Sequence, residues 1–140
     1  MNVEVNYLAV LLAAVSSMVV GSIWYAKPVF GRTWMKLAGI KDKKKMSTRD
    51  VMVLIWTFVL SWLTAFVLAH VCFLANQFFG HSFFQDAVST AFWLYLGFVV
   101  TRILVHNMFE ERPAKLNALA LGNEFVTIMV MGLIIGWLHP

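Results

Sequence analysis

The chain has 140 residues, 61% of them hydrophobic and 13% charged, with a formal net charge of +4. Soluble domains carry about 45–50% apolar and about 25% charged residues, and so small a globule would leave much of its apolar surface in water. The composition excludes a soluble globule and a disordered chain, and the lone Cys72 excludes an intrachain disulfide framework.

What remains is an all-α membrane protein, for which a helix of about 20 apolar residues crosses the roughly 30 Å hydrocarbon core. The first span is read over residues 5–26. It competes with a cleaved signal peptide, but it opens with Glu4 rather than Lys or Arg and ends in Trp24-Tyr25-Ala26-Lys27-Pro28. Both features favour a retained helix. Ala9, Ala13, Ser17 and Gly21 recur every four residues along it, a ridge suited to close helix packing.

Residues 27–50 form a basic connection. Phe30 and Trp34 share a face opposite Arg32 and Lys36, which predicts a short amphipathic interfacial helix ended by Gly39. Trp24, Tyr25, Phe30 and Trp34 are its expected interfacial anchors. Lys41, Lys43, Lys44 and Lys45 are expected to attract anionic lipid rather than nucleic acid.

The second span is read over 51–74, with Thr57, Ser61 and Thr64 as a polar stripe, followed by a turn-rich stretch through Ser82. The third covers 87–109 and is interrupted by Arg102, His106 and Asn107. Pro113 suits the start of a fourth, 116–138, which carries Asn117, Asn123, Glu124 and the pair Gly132 and Gly136. These four spans form a single integral membrane domain, a four-helix bundle. Of the two small-residue ridges, one is expected to pack within the chain and the other to meet a second copy, giving a homo-oligomer.

Of the 11 Lys and Arg, all but Arg102 fall in the first and third connections. The positive-inside rule then places those connections in the cytoplasm and both termini outside.

Charges within spans are costly and usually face a bundle interior. Arg102 and Glu124 lie at about the same depth, roughly 10–12 Å from the tight turn joining their helices, so an ion pair is expected. Regular helical spacing puts Tyr95 and His106 on the Arg102 face, and Asn117 and Thr127 on the Glu124 face. No HExxH, GxSxG, CxxC or phosphate-loop pattern is present. No catalytic residue, metal site or cofactor is therefore assigned.

Two stretches resemble a known family. Gly21-Ser22-Ile23-Trp24-Tyr25, with Phe30-Gly31 and Trp34, is similar to the GxxWYxxxxFGxxW signature of the domain-of-unknown-function 1761 family of small bacterial membrane proteins. Trp93 to Phe98, and His106-Asn107-Met108-Phe109-Glu110-Glu111-Arg112-Pro113, resemble its second region. The resemblance implies a four-helix protein of a bacterial cytoplasmic membrane and transfers no activity. It adds Asn107, Glu110, Arg112 and Pro113 to the residues of interest. The expectation is a non-catalytic membrane subunit or scaffold held by the Arg102–Glu124 pair. The alternatives are a small-solute, ion or proton transporter using Arg102, His106 and Glu124, and then a lipid-modifying enzyme.

Overall fold

A computed structural model describes residues 3–41 and 46–140; Lys43, Lys44 and Lys45 of the lysine cluster lie outside them. Four helices are long and apolar enough to cross a membrane: Tyr7–Trp24 (α1), Thr48–Phe79 (α3), Phe83–Phe109 and Ala114–Trp137 (α6). The protein is thus an all-α, multi-pass membrane protein. The third of these helices comprises α4 (Phe83–Leu94), a π-helical stretch (Tyr95–Val100) and α5 (Thr101–Phe109). Between α1 and α3 lie a π-helical turn, Lys27–Gly31, and the short helix α2, Arg32–Ala38.

Local chemistry sets the ends. The Asn6 side chain accepts from the amides of Leu8 (3.0 Å) and Ala9 (3.2 Å), capping α1, and donates through Nδ2 to the Leu138 carbonyl at 3.0 Å. One residue thereby ties the two chain ends together. Gly39 ends α2 with a left-handed φ of 65°, a conformation glycine adopts without steric cost. Ser47 and Asp50 form a reciprocal capping box at the start of α3. The helix then runs beyond the expected Leu74, because Asn76 and Gln77 are accepted within it and only Gly80, at φ 68°, stops it. Asn76 is put to use there. Its Nδ2 donates to the carboxylate of buried Asp86 at 2.8 Å, which also pairs with His81 Nδ1 at 3.0 Å. This clasp holds the α3–α4 hairpin.

Small residues set how closely the helices approach. Gly132 and Gly136 face α4: a Cβ on Gly132 would lie 2.6 Å from the Ala91 Cβ, and one on Gly136 would lie 3.1 Å from the Ala87 Cβ. Ala87 and Ala91 repeat the spacing of four, so two small-residue faces interlock within one chain. On α1, Ala9, Ala13 and Ser17 are buried and Gly21 is half-buried. The expectation that one ridge would be left for a second copy is therefore corrected: both are used internally, because Ala87 and Ala91 supply the partner face that Gly132 and Gly136 need.

The packed core joins Val10, Ala13, Leu68, Cys72, Ala91, Met131 and Ile135, towards the end of the bundle that holds both termini. At the other end, which carries the basic connections, the helices part. No residue of α3 before Ala65 is buried, and α3 packs along α1 and α4 while barely meeting α6.

Candidate functional site

Where α3 leaves the bundle, a cavity of about 710 Å³ opens between α1, α3 and α6. Ser17, Gly21, Ser22 and Tyr25 line it from the α1 side; Thr57, Ser61 and Thr64 from α3; Asn123, Glu124 and Thr127 from α6. The apolar remainder includes Met18, Leu54, Ile128 and Met131. Each helix turns a stripe with spacings of three and four toward the same space, so hydroxyls from three helices surround one carboxylate. Among the described residues, Glu124 makes no hydrogen bond and no ion pair.

The turn after α1 holds one of the lining residues, Tyr25, in place. Gly31 donates its N–H to the Ala26 carbonyl at 2.9 Å, folding the chain so tightly that a Cβ at Gly31 would lie 2.3 Å from the Tyr25 carbonyl oxygen. That fold brings the Trp24 and Phe30 rings to 4.6 Å and the Tyr25 and Trp34 rings to 5.0 Å. Trp24 also lies on Gly122, where a Cβ would meet its ring at 2.8 Å. The four aromatic residues expected as interfacial anchors thus form a bracket against α6 that holds Tyr25 at the cavity wall. Lys41 is exposed beyond it.

The expected Arg102–Glu124 ion pair is not formed. Arg102 is exposed, whereas Glu124 turns into the cavity on the other side of α6. The cause lies in the π-helical stretch. Tyr95 donates its hydroxyl to the Leu121 carbonyl at 3.0 Å and stacks edge-on against Phe125 at 5.2 Å, so it faces α6. Asn107 faces α6 too: it is 6% exposed and donates through Nδ2 to Asn117 Oδ1 at 2.7 Å. Twelve residues of regular α-helix would set Tyr95 and Asn107 about 120° apart. One residue absorbed as π-helix removes about 100° of that, returning both to one face and carrying Arg102 and His106 off it. His106 is exposed and pairs through Nε2 with Glu110 at 2.8 Å, while Glu110 also pairs with the Arg112 guanidinium. These three form a surface cluster beside the turn before Pro113. Asn107, rather than Arg102, joins the two helices.

Arg102→Leu is accordingly expected to change stability by less than about 1 kcal/mol, and its effect to be the same with Glu or Leu at position 124. Thermal melting of the two single variants and the double variant in detergent checks this. A coupling above about 1 kcal/mol would mean that the two side chains meet.

Spacing alone had assigned Ser17 to packing and Tyr25 to the interface, yet both line the cavity. The signal for them was joint rather than local: the Ser17 and Gly21 face of α1 matches Thr57, Ser61 and Thr64 on α3 in spacing. Buried Asp86 went unmarked because it sits just before the stretch read as a span. Among the described residues, no three His, Cys, Asp or Glu gather as a metal site.

The chain belongs to the family described as "Protein of unknown function (DUF1761)", whose model matches residues 8–136. No curated protein and no solved structure matches it. The family signature has a structural reading here, since Trp24, Tyr25, Phe30, Gly31 and Trp34 are the residues of the bracket that packs on α6 and places Tyr25 at the cavity wall.

Proposed function

We propose that this protein is a small-solute transporter of a bacterial inner membrane, and that the cavity around Glu124 is where the solute binds. The observation that carries this reading is the unpaired carboxylate amid hydroxyls from three helices. A scaffold needs polar groups in its spans only if they hold helices together, as Asn107 and Asn117 do. Glu124 holds nothing, although a charged residue at such depth costs about 2.5–3.5 kcal/mol on insertion scales. Ionisable groups within spans that face an interior cavity commonly mark a solute or ion path, and the volume lies within the roughly 300–1,000 Å³ range of ligand sites. The lysine-rich connection favours a cavity mouth on the cytoplasmic side, with both termini outside.

Cysteine accessibility in proteoliposomes tests the reading. On a Cys72→Ala background, Ser61→Cys is expected to react with a membrane-impermeant methanethiosulfonate, whereas the lipid-facing Val59→Cys is not. Solute entry followed by light scattering should exceed that of empty vesicles and fall about tenfold in Glu124→Gln. An unreactive Ser61→Cys, or entry equal to that of empty vesicles, would return the chain to the reading of a non-catalytic subunit.

A further inference from the structure

The hydrogen-bonding character of the cavity wall goes beyond its polarity. A hydroxyl can donate one hydrogen and accept at its lone pairs. Three of the lining hydroxyls have already committed their hydrogen to their own helix: Ser17 to the Ala14 carbonyl at 2.8 Å, Thr57 to Val53 at 2.7 Å and Thr64 to Leu60 at 3.0 Å. What they present to the cavity is lone pairs. The Asn123 side-chain oxygen is buried without any donor. The Glu124 carboxylate accepts from nothing among the described residues. No Lys, Arg or His lines the space.

The wall therefore carries one negative charge and no positive one, and three of its hydroxyls can only accept from a ligand. We infer that, if the cavity is the solute site proposed above, its ligand is a small primary ammonium ion with an apolar body. The ammonium head supplies both what Glu124 lacks, a counter-charge, and what the remaining lone pairs of Ser17, Thr57 and Thr64 lack, N–H donors. An anion would meet the like charge of Glu124 with no cationic side chain to offset it. A neutral alcohol offers one hydrogen where several acceptors wait. A quaternary ammonium brings charge without donors and leaves the acceptors unsatisfied, which is costly in a buried site. A bare inorganic cation has the charge but would fill little of about 710 Å³.

Equilibrium binding to purified protein in detergent separates these classes, using radiolabelled butylammonium with butyltrimethylammonium, 1-pentanol, butyrate and sodium ion as competitors. Butylammonium is expected to bind at least tenfold more tightly than any competitor. Glu124→Gln should weaken it at least tenfold while leaving 1-pentanol competition unchanged. Ser61→Phe fills the cavity while keeping the carboxylate in the chain and should abolish binding; its melting temperature shows whether the fold survives.

Preferred binding of butyrate or 1-pentanol, or butylammonium binding that ignores Glu124→Gln, would overturn the ammonium assignment. If Ser61→Cys is still labelled from water, the solute cavity stands and only the ligand class falls. Butyltrimethylammonium binding as tightly as butylammonium would likewise overturn it, leaving charge without donor recognition. Absence of binding by every probe, with Ser61→Cys unreactive, would remove the cavity reading itself.

Discussion

Gly132→Leu is expected to destabilise the protein by about 3 kcal/mol, at the upper end of ordinary overpacking costs. Even a methyl group at this position would stand 2.6 Å from the Ala91 Cβ, with the Ala87 carbonyl oxygen at 3.4 Å. Neither neighbour is the movable tip of a long side chain. To admit a leucine, α4 and α6 must separate along the line where Gly132 and Gly136 interlock with Ala87 and Ala91, and the core around Met131 and Ile135 opens with them. Thermal melting in detergent provides the measurement. Gly136→Ala offers a graded control, because its nearest contacts would be 3.1–3.2 Å and small shifts can absorb them. A Gly132→Leu melting point within a degree or two of wild type would mean that α4 and α6 do not approach as described.

Gly31→Ala should cost about 2–3 kcal/mol for a different reason. The added methyl would collide with backbone, 2.3 Å from the Tyr25 carbonyl oxygen and 2.8 Å from the Ala26 carbonyl carbon. No rotamer relieves a backbone clash, so the turn must open. It then loses the Gly31 N–H to Ala26 hydrogen bond and parts the Trp24–Phe30 and Tyr25–Trp34 pairs. The effect is local: the core near the chain termini is untouched, but α2 loses its seat against α6. The expected result is a lowered melting point together with much faster tryptic cleavage at Arg32 and Lys36. Wild-type cleavage rates in Gly31→Ala would show that the turn tolerates a side chain and does not hold α2 in place.

The spans were legible because hydrocarbon imposes a coarse rule, length and apolarity, that needs no tertiary knowledge. The ends at Gly39 and Pro113 were legible for similarly local reasons. Face assignments were not, since they integrate an angle along the helix. An error of one residue between Tyr95 and Arg102 swings every later side chain by about 100°, and the sequence Tyr-Leu-Gly-Phe-Val-Val carries no obvious mark of a π-helical stretch. That single unseen residue turned a surface arginine into an expected internal partner and hid Asn107 as the true link to Asn117. The cavity was half legible: Thr57, Ser61, Thr64, Glu124 and Thr127 each stood out on their own helix. Their convergence depends on α3 splaying away from α6, which no pattern within one helix encodes. Tyr25 was hidden for the same reason, because its position depends on a turn closed by Gly31.

The 32 residues of α3 extend about 48 Å at 1.5 Å per residue, well beyond a hydrocarbon slab of about 30 Å. A rod that long fits only by leaning or by protruding, and the clasp of Asn76, His81 and Asp86 anchors the end at which it meets α4. Bilayer thickness is therefore expected to set the lean of α3, steeper in thinner lipid and more upright in thicker lipid.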